Sequence, residues 1–232
     1  KFKTYKLHGG YQLDKYQIDL KTASFFSTFL SFIKLKKNTK EKSLLFDENL
    51  LKLKGNEFVK GYFQTEKYFF EIRDILINQF TIKQQLSQAA KAYVNEIHTK
   101  TTSCSIHIRR GDFVSNEKAS IVHGTCNLTY YKKAIDFFTS KFEKPHFFIF
   151  SDDISWSKEN LKITNATYIE YKSIPHEDIF LMSLCNHNIT ANSSFSWWGA
   201  WLNQNKDKVV ISPKKWLVDK ENEVACKNWI QL

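Results

Sequence analysis

The chain is poor in arginine, in proline, in cysteine motifs and in long apolar runs. Of 34 basic side chains only Arg73, Arg109 and Arg110 are arginines. The prolines are Pro145, Pro175 and Pro213, and neither an internal repeat nor a low-complexity linker divides the 232 residues. By length this is one large domain or two small ones. No stretch approaches the roughly 20 apolar residues that span a bilayer; the longest apolar runs, such as Phe147–Phe150, are strand-sized. Cys104, Cys126, Cys185 and Cys226 form no C-x-x-C, which excludes a zinc ribbon and a dense disulfide scaffold. Read as plain thiols, they point to a reducing compartment. The chain starts at Lys1, without Met and without the charged-then-apolar pattern of an export signal. The expected location is cytoplasmic, at the inner face of the membrane if anionic lipid attracts it. The sequons at Asn127, Asn165, Asn188 and Asn192 are then accidental.

What is present is aromatic bulk and positive charge. With 20 Phe, 10 Tyr and 6 Trp in a 42% apolar composition, a large core is available and a disordered tail is excluded. The formal charge is 34 − 24 = +10. Lysine-rich stretches at Lys34–Lys42 and Lys206–Lys220 would favour phosphates, nucleic acid or an anionic membrane surface. No basic helix interleaved with aromatics, zinc finger or RNA-binding signature accompanies them. The expectation is a solvated lysine surface and no nucleic-acid partner. Against that background two adjacent arginines ask for a reason, and arginine's is usually a planar, bidentate grip on phosphate or carboxylate.

Residues 1–60 give little pattern beyond the aromatic cluster Phe25, Phe26, Phe29 and Phe32. From Glu66 onward, Phe69, Ile72, Leu76 and Phe80 keep helical spacing, as do Leu86, Ala90, Tyr93 and Ile97. Strict alternation over Ser103–Arg109 predicts a strand, with Cys104, Ile106 and Ile108 on one face and Ser105, His107 and Arg109 on the other. Arg110 faces away or lies in the turn. A helix at Thr129–Lys141 and a doubly covered strand at Phe147–Phe150 follow. Further strands are expected at Thr167–Tyr171, Asn188–Ala191 and Val209–Ser212, and helices at Ser155–Lys162, Asp178–Asn186 and Ser194–Asn203. Strands alternating with helices predict an α/β fold: a Rossmann-like parallel sheet over residues 101–232.

Ligands of such sheets sit beyond the carboxyl ends of the strands. Three predicted strand ends carry polar residues: His107 to Asp112, then Ser151-Asp152-Asp153, then Asn192-Ser193-Ser194. The first could fork onto a phosphate or be a surface salt-bridge cluster. Asp112 could be a general base or could orient an arginine. The second could accept from a ribose hydroxyl or a guanine N–H, or cap the next helix. The third places hydroxyls and backbone N–H groups at a helix start, where phosphate binds. Trp197, Trp198 and Trp201 then dock that helix. No G-x-G-x-x-G, P-loop, G-x-S-x-G or H-E-x-x-H occurs, and the histidines are scattered, so no metal is expected.

Taken together, SIHIRRGDF, FIFSDD and ITANSSFSWWGAWL resemble the bacterial α-1,2-fucosyltransferases of glycosyltransferase family 11. The match extends to His8-Gly9-Gly10-Tyr11-Gln12-Leu13, to Gly61-Tyr62-Phe63-Gln64, to His123-Gly124 before Tyr130-Tyr131, and to Pro213–Trp216. The same motifs occur, more loosely, in α-1,6- and protein O-fucosyltransferases. The resemblance implies a GT-B-type, inverting, metal-independent transferase that moves L-fucose from GDP-β-L-fucose to the 2-hydroxyl of a terminal galactose. The acceptor would be an oligosaccharide, free or lipid-linked, in surface polysaccharide or O-antigen synthesis. By that similarity His107 contacts the nucleoside, Arg109 holds the β-phosphate and Arg110 supports it. Asp153 reads guanine, and Asn192, Ser193, Ser194 and Phe195 line the diphosphate pocket. Family members usually open with a glycine-rich turn similar to GGLGNQ, which this chain lacks. The expected organisation is therefore a partial N-terminal acceptor domain with linker helices, 1–100, and a donor domain, 101–232. Arg109 and Asp112 are the catalytic candidates, with Glu117 and His123 behind Asp112. The alternatives are a fucosyltransferase of another linkage, or a non-catalytic basic protein that binds nucleotide or nucleic acid.

Overall fold

The computed structural model describes residues 13–19, 38–54, 57–111, 124–172, 174–218 and 220–232. The cluster Phe25–Phe32, the stretch His8–Gln12, and Asp112, Glu117 and His123 lie outside them.

Two short strands, β1 (Asn38–Lys40) and β2 (Phe58–Lys60), pair in parallel. Helix α1 (Arg73–Gln79) follows, then α2 (Gln88–His98) and β3 (Ser103–Ile108). Next come α3 (Leu128–Lys141), β4 (His146–Ser151), α4 (Ile154–Leu161), β5 (Ala166–Tyr168) and α5 (Pro175–Leu184). The chain continues through β6 (His187–Ile189), α6 (Ser194–Leu202), β7 (Val210–Ser212) and β8 (Ile230–Gln231). The last six strands form one sheet in the order β5–β4–β3–β6–β7–β8, each parallel to its neighbours. The order runs outward from β3 and then outward again from β6. Their shared edge is thus the point where strand order reverses, the place in doubly wound sheets where a crevice opens.

The helices start where local chemistry starts them. Ser87, Asn127, Asp153 and Ser193 each accept a first-turn N–H at the N-caps of α2, α3, α4 and α6. Pro175 opens α5, where its missing N–H costs nothing. The stretch around Phe69 is a correction. The spacing of Phe69, Ile72, Leu76 and Phe80 predicts one helix, but Glu66–Tyr68 and Phe70–Ile72 are 3₁₀ turns and only Arg73–Gln79 is α-helical. Phe69 there packs against Trp197, Trp198 and Trp201 of α6, and that long-range packing overrides the local period.

The sheet is covered on both faces, so all six residues of β3 are buried. Cys104, Ile106 and Ile108 join Phe147, Ile149 and Ile189 beneath Tyr130, Tyr131, Ala134 and Phe138 of α3. On the other face Phe148 and Phe150 pack with Ala90 and Ile97 of α2 and with Leu181 and Met182 of α5. A third cluster joins Trp197 and Trp201 of α6 to Val210, Trp216 and Trp229. This agrees with a core role for those two tryptophans. Burying each large apolar side chain contributes roughly 1.5–3 kcal/mol.

The second face of β3 is polar, and its hydroxyls are satisfied one after another. Ser103 Oγ donates to Asn186 Oδ1 at 2.8 Å, and Asn188 Nδ2 donates to Ser105 Oγ at 2.7 Å. Asn203 Nδ2 then donates to Asn188 Oδ1 at 2.8 Å. Asn188 and Asn192 are buried, which removes both as glycan acceptors. All four cysteines are free thiols. Among the described residues no helix is long and apolar enough to cross a membrane.

Candidate functional site

The polar column on β3 ends at His107, the last residue on that face. The residue is 4% exposed, its ring lies 5.3 Å from the Phe195 ring of α6, and among the described residues Nδ1 has no hydrogen-bond partner. The lower members of the column are all paired, so an unpaired nitrogen at the top is an unfilled binding valence. Burial pushes the imidazole down to about 4, which keeps it neutral at physiological pH.

Beyond His107 the strand stops, one residue earlier than the alternation predicts, and two arginines follow it. Each is held by one of the two aspartates beyond β4. Arg109 Nη1 lies 3.0 Å from Asp152 Oδ2, and the other Asp152 oxygen accepts the Arg110 backbone N–H at 2.9 Å. Asp152 approaches so closely that a Cβ on residue 111 would meet its Oδ2 at 2.8 Å and push the carboxylate from its place. Arg110 Nε lies 3.5 Å from Asp153 Oδ2, an ion-pair distance, while its guanidinium stacks 3.8 Å from the centroid of the Trp156 ring. Both arginine side chains stay about a quarter exposed, at 26% and 21%, so they remain accessible to a ligand.

Asp153 does two tasks at once. Its Oδ1 caps α4 by accepting the Trp156 N–H at 3.1 Å, and its Oδ2 faces Arg110. Both its oxygens therefore face groups of the protein itself. Asp152 and Trp156 are additions to the predicted set; the signal for Asp152 was its place directly beside Asp153.

Across the reversal point stands α6. Ser193 caps it by accepting the Phe195 N–H at 3.3 Å, and Ser194 is exposed at its first position. The remaining first-turn N–H groups have no intrahelical partner and point outward with the positive end of the helix dipole. Asn192 is turned inward instead. Its Nδ2 donates to the carbonyls of Gly124 and Trp216, at 3.3 and 3.4 Å, and its Oδ1 accepts from Cys126 Sγ. It shapes the loop from behind. By the pairing of β4, β3 and β6, the residues His107, Arg109, Arg110, Asp153, Ser193, Ser194 and Phe195 stand at adjoining strand ends around the reversal point, whereas Asp112, Glu117 and His123 lie outside the described residues. Among the described residues no three His, Cys, Asp or Glu side chains gather to hold a metal.

A model of glycosyl transferase family 11 matches residues 25–232. The chain belongs to glycosyl transferase family 11. Within this family's curated relatives, the chain is 35% identical over 192 residues to the O-antigen biosynthesis glycosyltransferase WbnK of Escherichia coli. That match covers 78% of this chain and 63% of the relative. It is 35% identical to an alpha-1,2-colitosyltransferase of Escherichia coli, over 95% of this chain and 81% of the relative. A galactoside alpha-(1,2)-fucosyltransferase 1 of Lagothrix lagotricha is 25% identical, over 64% of this chain and 44% of its own length. The chain therefore spans less than two thirds of WbnK and under half of the primate enzyme. The all-parallel sheet of this family 11 chain, flanked by helices, is consistent with the Rossmann-like GT-B fold.

Two cavities lie near these strand ends. One of about 270 Å³ lies at the ends of β4 and β5, between Phe150, Ser151, Ile154, Tyr171 and Asp178. Tyr171 Oη donates to Asp178 Oδ1 at 2.7 Å along its wall. The other, of about 210 Å³, lies on the far side, against α6.

Proposed function

We propose that this chain transfers L-fucose from GDP-β-L-fucose to the 2-hydroxyl of a terminal galactose, with inversion at the anomeric carbon. The observation that carries the reading is Arg109, held on Asp152 beside the N-terminus of α6. In the transfer the acceptor oxygen forms a bond to the anomeric carbon while the bond to the β-phosphate oxygen breaks, through an oxocarbenium-like state. Negative charge grows on the departing GDP. Arg109 meets it with a planar fork and α6 with aligned N–H dipoles, both set before the reaction. Arg110 stiffens the same loop. His107, neutral and with Nδ1 unpaired, hydrogen-bonds the nucleoside part of the donor.

The acceptor proton passes to a base, for which Asp112 is the first candidate and Glu117 and His123 the next. In Asp112→Asn, kcat should fall by roughly 10²–10⁴ with GDP affinity nearly intact. Parent-like kcat would remove Asp112 from the reaction. With arginine and a helix terminus supplying the positive charge, the transfer needs no divalent cation. Turnover should persist in EDTA, and inactivation reversed by Mn²⁺ or Mg²⁺ would overturn this part.

The acceptor is a galactose-terminated oligosaccharide, free or lipid-linked, and O-antigen or related surface polysaccharide synthesis is the setting. The deciding experiment is the mass and linkage of the product formed from GDP-fucose and a panel of β-galactosides. A fucose added at a position other than O2 would assign another linkage. Salt-sensitive nucleic-acid binding without GDP affinity would favour a non-catalytic protein instead.

A further inference from the structure

The cleft of about 210 Å³ beside α6 is walled by Tyr62, Phe63, Trp198 and Trp216, with Gln64 and Ser194 as its polar groups. Ser194 is also the first residue of α6, so the cleft begins where the helix N-terminus ends. In the strand order, β4 and β5 lie on one side of the reversal point and β6 and β7 on the other. The cavity at β4 and β5 and this aromatic cleft are therefore at opposite ends of the crevice that Arg109 and α6 share.

The cleft is built rather than left over. Glu41 Oε2 accepts both the Tyr62 and the Phe63 backbone N–H, at 2.7 and 3.1 Å, and so pins the segment after β2 in place. That approach leaves no room for a Cβ on residue 61, which would lie 2.5 Å from Glu41 Cβ, so Gly61 is required. Phe63 takes a positive φ of 49°. Behind the wall, Phe69 stacks on Trp198 at 5.7 Å and the Trp197 indole N–H donates to the Val224 carbonyl at 2.7 Å. All this order holds Tyr62 at a position where 82% of it faces water. Fixed aromatic surface left in solvent is a platform for a ligand that is part apolar and part polar.

We infer that this cleft holds the 6-deoxyhexose ring of the nucleotide-sugar donor. The C5–C6 methyl edge lies on the aromatic wall, Gln64 and Ser194 face the ring hydroxyls, and Tyr62 and Phe63 are specificity-determining residues. The inference rests on the donor reading above. With the base toward Asp153 and a diphosphate at Arg109 and α6, the aromatic cleft beyond Ser194 is, among the described residues, the pocket left for the sugar. A 6-hydroxyl would bring an unpaired polar group against aromatic carbon, so the wall discriminates at C6.

The test is calorimetric titration of the full chain with GDP, GDP-β-L-fucose and GDP-β-L-galactose; the two sugars differ only by the hydroxyl at C6. The parent should bind the fucose donor roughly 10–100-fold more tightly than the galactose donor. Tyr62→Ala and Phe63→Leu should keep the parent's GDP affinity, which also shows that they fold, and should lose most of that preference. A parent that binds GDP but treats both sugars alike overturns the cleft assignment only. So does a preference retained in both variants, or a raised acceptor KM at unchanged donor affinity, which would give the cleft to the acceptor. A parent that binds no GDP overturns the donor reading itself.

Discussion

The two sides of the crevice hold positive potential by different means. On the β3–β4 side it comes from full charges, Arg109 and Arg110, and each is paired with an aspartate from the neighbouring strand end. On the β6 side it comes from neutral groups, the peptide N–H groups and hydroxyls at the start of α6. Paired guanidinium groups are oriented by their partners and present planar N–H donors to an anion. Peptide dipoles need no counter-ion and bring no mobile side chain, but act only within the first turn. In the proposed transfer, the fork would track the charge growing on the departing diphosphate while the helix supplies a fixed field. The charged side should therefore be intolerant of isocharge replacement, and the neutral side should yield gradually.

The largest expected effect breaks the charged side. Arg109→Lys keeps the charge and loses the fork, and kcat/KM should fall by roughly 10²–10³. An unchanged rate and donor KM would show that a point charge suffices and would dissolve the contrast. Next comes His107, which lies between the two sides. Because burial holds its folded pKa at about 4, against an ordinary value of 6.5, the unfolded chain binds more protons between those two values. Stability should then fall as pH drops through that window, by up to about 3 kcal/mol from this residue. Denaturant midpoints for His107→Gln should show a flatter pH dependence between 6.5 and 4; a slope equal to the parent's would mean that His107 is not buried neutral.

The smallest effect compares the two helix caps. Asp153→Ala and Ser193→Ala should each cost ~1 kcal/mol in urea unfolding, since each removes one N-cap acceptor. They should differ in function. Asp153→Ala also frees Arg110, so GDP binding should weaken, and by more than ADP binding if the carboxylate reads guanine. Ser193→Ala should weaken the two nucleotides alike. Equal behaviour of the two variants toward both nucleotides would leave Asp153 as a cap and an arginine partner.

Most of the sheet was legible because period two and period 3.6 alternate cleanly from Ser103 onward. The predicted β3, α3, β4 and α6 differ from the observed ones by at most two residues at either end. The three polar strand ends were legible for the same reason, since a parallel sheet sends every carboxyl end to one rim. Residues 38–60 were opaque, and the helical spacing from Phe69 overran its helix, because their structure is made by distant partners. Leu44 bridges to Asn222, the Phe46 N–H donates to Glu223 Oε2 at 2.8 Å, and Arg73 Nη2 donates to the Trp201 carbonyl at 2.9 Å. A local window contains none of those groups.

The sequence by itself determined the alternation of strand and helix, the caps, and which residue types stand at the carboxyl ends, because these depend on near neighbours and side-chain period. Only the tertiary structure decided which aspartate holds which arginine, that Asn192 turns inward while Ser194 faces out, and that Tyr62 and Phe63 meet Trp198 across an aromatic cleft. Those facts follow from strand order and from contacts between residues distant in sequence, where pairing energy and packing choose among orientations that local pattern leaves equal.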